Sequence, residues 1–584
     1  MAGQPKTAFY AVLFLVVGSL IAYATYRSDL FAPSAKQPGN PANPIEPGNL
    51  GQDPIAKPAA ESTDPSNANS VTTVKEYTFR PAERLPPVKG ISRYKPLVDN
   101  TVRFALNVWA GWGPIILAND GFKPGKVWKT ASGEDFRVEL VLIDDPVAMR
   151  SSYAAGEVHI GWGTLDMVPL LLDGLLASKD SRVMPRIYQQ VDWSNGGDGI
   201  VVRENIRSVG DLRGKRLVLA QNSPSQYFAL NMLIAAGVQP SEVDMVYTST
   251  AFEAARAFEA NREISGAVSW APDIYKLAEI KGNRMLVTTQ TANKLIADIW
   301  FARADFAKDH PQIIEGLVRG IFDGMQQLKD KKNKEKCARL MAAGYGIPAS
   351  EVMNMFGDAH STNWAENYQF FVNQNNPTNF ERIWHQADYL YRRIGAIENP
   401  PVPFDQVMDF SIIERLGKEP KYSSQRDEYK ITLAPKAISQ IKAESDEILT
   451  NTVIIHFYPN SWELRKMINK EVDGKTVAEL YDPSVDLVLE EIAKLTEQFG
   501  AARVIIQGHT DSSMRGSVPE QLVKDLSDNR ANAVKEALVN KYSLDPNKFS
   551  AEGLGWAQPA DVNDPENHAK NRRVEVKVYS AEKQ

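Results

Sequence analysis

The residues that most closely specify a chemistry lie in 504–534, VIIQGHTDSSMRGSVPEQLVKDLSDNRANAV. A short apolar strand, 504–507, runs into a polar loop opening with Gly508, His509, Thr510 and Asp511, and Ser527 is placed to cap a following helix. That puts Arg530 at about the third helical position, where a cation opposes the helix dipole by about 0.3–1 kcal/mol. An acid and a base flanking a strand-to-helix loop, the base against local preference, mark a site. The plain alternative is a turn aspartate and a solvated helix arginine. For His509 beside Asp511, ligand contact or strand termination is a better reading than acid/base catalysis.

A second group lies earlier. Asn222, Ser223, Pro224, Ser225 and Gln226 stand at the entry of a predicted helix, 226–236, where Pro224 fits an early turn and free N–H groups can hold an anion. Capping by Ser223 or Ser225 is an equally good reading. Trp112, Trp162 and Trp270 each follow a predicted strand and can wall a pocket, against the commoner role of a tryptophan in a core. Thr164 and Asp166 share the loop after Trp162, and Asp273 lies near Trp270; an acid there can bind a ligand amine. Gly196, Gly197 and Asp198 precede a return strand and suit a hinge.

The elements that must position these groups alternate. Strands are predicted at 102–108, 138–142, 158–161, 200–202, 216–219, 245–247 and 266–269, and helices at 147–155, 226–236, 251–260 and 311–328. Such βα alternation predicts parallel sheets covered by helices, with ligands beyond the carboxyl ends of the strands.

Both constellations resemble known families. The TD loop, the Leu526-Ser527-x-x-Arg530-Ala531 start, Gly553-Leu554-Gly555, the Pro559 region and the closing Asn571-Arg572-Arg573-Val574-Glu575 resemble the OmpA-like peptidoglycan-binding domain over about 452–579. Two departures are a longer loop between Asp511 and Leu526, and Val523 where asparagine is usual. The resemblance implies an α+β fold of order βαβαββ. It also implies Asp511 for the ammonium and Arg530 for the carboxylate of a diaminopimelate stem peptide, with Thr510, Asn571, Arg572 and Arg573 around them. Residues 108–114, VWAGWGP, residues 208–218, SVGDLRGKRLV, the following QNSPS and residues 267–272, AVSWAP, resemble type 2 periplasmic solute-binding proteins. The branch is that of sulfonate, taurine, nitrate and thiamine-precursor binders. That implies two α/β lobes closing on a small molecule and, as a partner, an ABC-type permease.

Length and composition bound the rest. The chain has 584 residues, 43% hydrophobic and 24% charged, with a net charge of −6. It is too long for one core, and no basic excess or motif points to nucleic acid. One cysteine, Cys337, excludes an intramolecular disulfide framework, a cysteine-based zinc site and the cysteine-rich iron site of pyrimidine-making relatives. No histidine spacing, P-loop or nucleophile elbow suggests a metal, a cofactor or an enzyme. Residues 8–26 are nearly all apolar and would span about 29 Å as a helix, close to a bilayer core. With Lys6 before it, this reads as an inner-membrane anchor with the body in the periplasm. Ala22-Tyr23-Ala24 offers the competing reading of signal cleavage after Ala24.

The expected organisation is a stub and anchor at 1–27, a Pro-rich disordered linker at 28–91, a bilobal domain at 92–417, a connector at 418–450 and an OmpA-like domain at 451–584. The expected function is capture of a small, anionic solute by a protein tied to both inner membrane and peptidoglycan. The other reading is a structural or sensory tether whose bilobal domain docks a protein.

Overall fold

The computed structural model describes residues 76–472 and 475–580. The expected membrane helix at 8–26 and the Pro-rich stretch up to residue 75 lie outside the described residues. Among the described residues, no helix is long and apolar enough to cross a membrane.

Runs rich in valine, isoleucine and leucine form the strands, and three sheets carry the architecture. The first lobe holds β1 (Thr101–Leu106), β2 (Trp128–Lys129), β3 (Asp135–Leu142), β4 (Ile160–Thr164) and β5 (Pro185–Ser194). The second holds β6 (Asp198–Arg203), β7 (Arg216–Ala220), β8 (Asp244–Thr248), β9 (Gly266–Trp270) and β10 (Asn283–Thr288). The chain then returns to the first lobe with β11 (Ala297–Arg303) and β12 (Ala359–Ser361). The orders are β12-β5-β11-β4-β1-β3-β2 and β10-β6-β9-β7-β8.

The sheets are mixed rather than all parallel. Strands β3, β1 and β4 pair parallel, as do β8, β7 and β9, but β11 runs antiparallel to β4 and β5, and β6 antiparallel to β9 and β10. The reason is the crossing. A chain that leaves one lobe between Ser194 and Asp198 and returns after Thr288 lays its crossing strands against the βα direction. Hydrophobic patterning does not encode that direction.

Four helices matter to the sites: α1 (Met167–Leu176), α2 (Pro224–Ala235), α3 (Pro311–Gln327) and α4 (Phe380–Arg393). Cys337 is buried, as expected of a small core residue.

The C-terminal region has β13 (Glu447–Val453), a separate hairpin of β14 (Met467–Val472) and β15 (Lys475–Leu480), then α5 (Val485–Gln498), β16 (Arg503–His509), α6 (Glu520–Tyr542), β17 (Phe549–Gly555) and β18 (Val574–Tyr579). Its sheet order is β13-β18-β16-β17. With the hairpin set aside, this is the βαβαββ order.

Residues 76–91, assigned by composition to the disordered linker, are instead a docked extended strap. Prolines 81, 86 and 87 forbid helix, but Phe79, Leu85 and Val88 between them supply apolar anchors on both lobes. Ala82 N–H donates to Ile394 O at 2.8 Å, Tyr77 Oη to Ile234 O at 3.0 Å, and Arg84 pairs with the buried Asp173 at 2.8 Å.

The second-lobe core does not end at the lobe. Leu217, Leu219, Tyr227, Phe228 and Leu233 belong to one hydrophobic cluster with Ile448, Val488, Ile492, Val504 and Val576 of the C-terminal region. Asn451 Nδ2 donates to Ala235 O at 2.8 Å, and Lys294 pairs with Glu497 at 2.5 Å. Large-to-small changes in such a cluster cost about 2–5 kcal/mol each.

Candidate functional site

Strand β16 is held by Val504, Ile505 and Ile506, all wholly buried. Beyond its end, Thr510 N–H donates to Gly555 O at 2.9 Å, which carries the pairing with β17 into the loop. Asp511 follows, with no exposed surface. Its Oδ1 accepts from Ser513 N–H at 2.8 Å, an aspartate turn that fixes the loop's first bend. Arg572 Nε lies 3.1 Å from Oδ2, and His568 Nδ1 lies 3.8 Å from Oδ1.

Ser527 does not cap a helix. Helix α6 begins at Glu520, and its buried stripe, Val523, Leu526, Ser527, Arg530, Ala531, Val534 and Leu538, runs through Ser527 without a break. The cap-type side chains serve the neighbouring strand instead. Ser527 Oγ donates to Lys524 O at 2.8 Å and accepts from Gly555 N–H at 2.9 Å, while Asp528 accepts from Gly553 N–H at 3.0 Å. Two glycines permit this approach: a Cβ on Gly508 would meet Ser527 O at 2.1 Å, and one on Gly553 would meet Asp528 N at 2.3 Å. Arg530 is therefore a buried mid-helix residue. Its Nε donates to Ser461 O at 3.0 Å and its guanidinium lies 4.9 Å over the Phe457 ring.

The structure brings Arg530, Arg572 and Arg573 together round a cavity of about 30 Å³, with Gly508, His509 and Phe457 also lining it. Asp511 is joined to this group through Arg572. Asn571 ties down the loop before β18, accepting from Ala560 N–H and donating to Pro565 O, both at 2.7 Å. Arg573 pairs with Glu575 at 2.6 Å. Burial, with help from the Arg573 charge, pushes His509 down to about 4, so its ring is neutral at ordinary pH. Sequence reasoning missed Phe457 and Ser461. Their signal is local aromatic and turn chemistry too common to single out.

The second candidate site lies at the seam between the lobes. Helix α1 starts beside Asp166, which is buried, and α2 starts at the Asn222–Ser225 turn. Tyr391 on α4 joins them: its Oη lies 3.4 Å from Asp166 Oδ2 and 3.4 Å from Ser223 O. Ser223 Oγ donates to Ala220 O, and Ser225 is wholly buried with its hydroxyl unpartnered. Thr164 closes β4, also buried, and its hydroxyl has no partner.

The tryptophans do not make a common wall. Trp112 is wholly in the first-lobe core, edge-on to Phe104, and donates to Asn107 at 2.7 Å. Trp162 is buried and donates to Ile143 O at 2.9 Å, and Trp270 is half-buried edge-on to Phe252. Asp273 is partly exposed, 4.0 Å from Lys276. Reasoning from sequence missed Asp192 and Asp298, read Asp198 only as part of a hinge, and met Trp109 only inside the VWAGWGP motif. Asp298 on β11 stands opposite Thr164 on β4 and Asp192 on β5 in one row across three strands. Burial raises Asp166 and Asp198 to about 7, and burial followed by mutual repulsion holds the Asp192–Asp298 pair above the ordinary carboxylate range. The signal was present as single acids inside apolar runs, QQVDWS and IADIWF.

Residues 457–573 match the model of the OmpA family, and residues 184–334 that of the NMT1/THI5 like family. The taurine-binding periplasmic protein of Escherichia coli (strain K12) is 26% identical over 220 residues, 36% of this chain and 64% of that protein. The outer membrane protein Omp38 of Acinetobacter baumannii is 35% identical over 123 residues, 20% of this chain and 32% of that protein. The chain thus spans less than two thirds of the length of these curated relatives. Among solved structures, the periplasmic aliphatic sulphonate binding protein SsuA from Escherichia coli is 17% identical. It covers 53% of this chain and 97% of its own, with a TM-score of 0.41. The periplasmic nitrate-binding protein NrtA from Synechocystis PCC 6803 is 13% identical, covering 55% and 89%, with a TM-score of 0.40. The chain carries an OmpA-family domain at its C-terminus and, before it, an NMT1/THI5-like domain.

Proposed function

We propose that this chain is a periplasmic solute-binding protein of the ABC-importer type whose C-terminal domain holds peptidoglycan without a covalent link. In this reading the chain is tied to the inner membrane by residues 8–26. The observation that carries the solute reading is the interlobe seam, where Thr164 and Asp166 of one lobe and Asn222 and Ser225 of the other are buried with polar atoms unpartnered. Polar groups are not buried unmatched without cost, and a ligand between lobes is the economical match. The similarity to a taurine-binding protein supports the same reading. An anion at the start of α2 is poorly served: Asn222 N–H is taken by Gln226 Oε1, and the N–H groups of Gln226 and Tyr227 by Ser223 O. Purified full-length protein, screened by thermal shift against small amines, zwitterions and anions, should be stabilised by one class. No shift with any of them would refute the solute reading.

The wall reading rests on the grouping of Arg530, Arg572 and Asp511, which offers a guanidinium fork to a carboxylate and an acid to an ammonium. Full-length protein should sediment with peptidoglycan, and Arg530→Lys, which keeps the charge but loses the fork, should weaken that strongly. Unchanged sedimentation would refute the assigned site.

A tethering protein with an idle bilobal domain is favoured by one observation, the strap at 76–91. It pairs Arg84 with Asp173 of the first lobe and Arg80 with Asp244 of the second, restraining the lobes against each other.

A further inference from the structure

The seam is short of donors. Asp166, Asp192, Asp198 and Asp298 are all buried there. The donors they have are few: Trp109 Nε1 to Asp192 Oδ1 at 3.2 Å, Ser194 Oγ to Asp198 Oδ2 at 2.7 Å, and Tyr391 Oη to Asp166 Oδ2 at 3.4 Å. No lysine, arginine or histidine is among the main electrostatic influences on any of the four; besides burial these are hydroxyls, an indole, backbone and the other carboxyls.

Unpartnered acceptors and hydroxyls lie along the same seam as the acids, with Gln221 Nε2 the one unpartnered N–H donor in the turn before α2. Gln190 Oε1 and Asn222 Oδ1 are acceptors without donors, and the hydroxyls of Thr164, Ser225 and Tyr227 have no partner. All five side chains are at least nine-tenths buried. They come from both lobes: Thr164 and Gln190 from the first, Asn222, Ser225 and Tyr227 from the second. A carboxylate and a set of acceptors facing hydroxyls form a site for a group that brings both positive charge and N–H bonds. A sulfonate or nitrate brings neither and would meet the carboxylates head-on.

We propose that the solute taken between the lobes is a small organic ammonium ion, its N–H groups donating to Asp166 of the first lobe and to Asn222 Oδ1 and Ser225 Oγ of the second. This rests on the solute-binding reading above and names the charge class of that same site. Such a cation links the lobes, because Asp166 lies on one side of the seam and the α2 turn on the other, with Tyr391 between. Asp192, Asp198 and Asp298, raised by burial, add negative potential only as they lose their protons. The carboxyl of Asp166, raised to about 7, must give up its proton to act, so affinity for the cation rises from pH 6 to pH 8. The charged or titratable groups around it are Asp192 and Asp198, Asp298 on β11, Tyr227 on α2 and Tyr391 on α4.

The test is calorimetric titration of the full-length protein with two near-isosteric series, alkylammonium and alkanesulfonate ions of two to six carbons, together with aminoalkanesulfonates. The expected result is binding by the ammonium series, at least tenfold weaker binding by the sulfonates, and a tenfold or greater loss with Asp166→Asn. A surface control, Asp135→Asn, should bind as the parent does. Because Asp166→Asn removes a buried charge, its unliganded melting point should not fall, which separates lost binding from lost folding. Sulfonates binding as well as ammonium ions, or full affinity in Asp166→Asn, would overturn this charge assignment and leave solute binding intact. Binding by none of the three series would overturn the solute reading and this inference with it.

Discussion

Replacing Arg572 with alanine strands the Asp511 carboxylate, and the structure sets the size of the effect. Asp511 is fully buried and Arg572 Nε is 3.1 Å from its Oδ2, with the arginine side chain 17% exposed. Exposed pairs are worth about 0.2–1 kcal/mol, whereas breaking a buried pair costs about 3–5 kcal/mol. Partial exposure of Arg572 discounts the upper figure, which gives about 2–3 kcal/mol for Arg572→Ala. Asp511→Ala leaves a partly solvated guanidinium and one Ser513 N–H without its acceptor, about 1–2 kcal/mol. The effects are unequal, and the double variant should lose less than their sum. The assay is hydrogen exchange at the β16 amides, which reports opening of this sheet rather than of the whole chain. At tenfold per 1.4 kcal/mol, Arg572→Ala should speed exchange by about 30- to 150-fold. A change below about fivefold, or strict additivity in the double variant, would show that Asp511 does not depend on Arg572 and that the two do not act as one unit.

Gly553→Ala should destabilise the same region by more than about 2 kcal/mol, because the new Cβ would sit 2.3 Å from Asp528 N in helix backbone that cannot yield, and β16 and β17 exchange should accelerate while the first lobe is untouched. Arg84→Ala should loosen the strap and expose 76–91 to protease, with a cost of only about 1 kcal/mol because Asp173 keeps its bonds from Asn399. For the unliganded protein, Asp166 and Asp198 have folded pKa values of about 7, above the unfolded range near 4, so the folded state binds more protons and stability falls as pH rises toward 7. His159 and His509, lowered to about 4, act in the opposite sense but only up to about pH 6.5. Asp192 is raised to about 7 and Asp298 is raised as well, so the raised carboxyls outnumber the two histidines. The melting point should therefore fall as pH rises from about 4 through about 7, with Asp166→Asn reducing the fall; a flat parent profile across that window would contradict the buried carboxyl assignment.

The strands were legible where apolar residues follow one another, as in LVL of Arg216–Ala220 and AV of Gly266–Trp270. Strands β5 and β11 were not, because Gln189, Gln190, Asp192 and Asp298 interrupt runs that are nonetheless buried but for Arg186. Two of those interruptions, Asp192 and Asp298, are acids at the seam, so residues that hid the strands are also ones the proposed solute site draws on. Ser527 misled for a different reason. A serine followed by Asp and Asn reads as a helix start, and nothing local shows that Gly508 and Gly553 bring a strand close enough to use those side chains instead. The partnership of Asp511 with Arg572 is long-range. Each residue was picked out by its own motif, but the pairing of the two follows only from β16 and β18 lying side by side.

The placement of the wall-type domain constrains how a solute could be captured. The second lobe shares one hydrophobic cluster with the C-terminal sheet and helix α5, and is further fixed by the Lys294–Glu497 and Arg284–Asp446 pairs. Separating them would expose buried leucine, isoleucine and valine at about 25 cal/mol per Å², with no gain to offset it. The second lobe and the C-terminal domain therefore act as one body, and under the proposed solute reading closure falls to the first lobe. If the C-terminal domain holds peptidoglycan, the turn at Asn222–Ser225 is stationary with respect to the wall and Asp166 is the side that moves. Cross-linking the lobes should then abolish solute binding without affecting sedimentation with peptidoglycan. Releasing the C-terminal domain from the second lobe, by Lys294→Glu against Glu497, should disturb both. If Lys294→Glu leaves solute affinity and sedimentation unchanged, the two domains are independent and the argument for a single body is wrong.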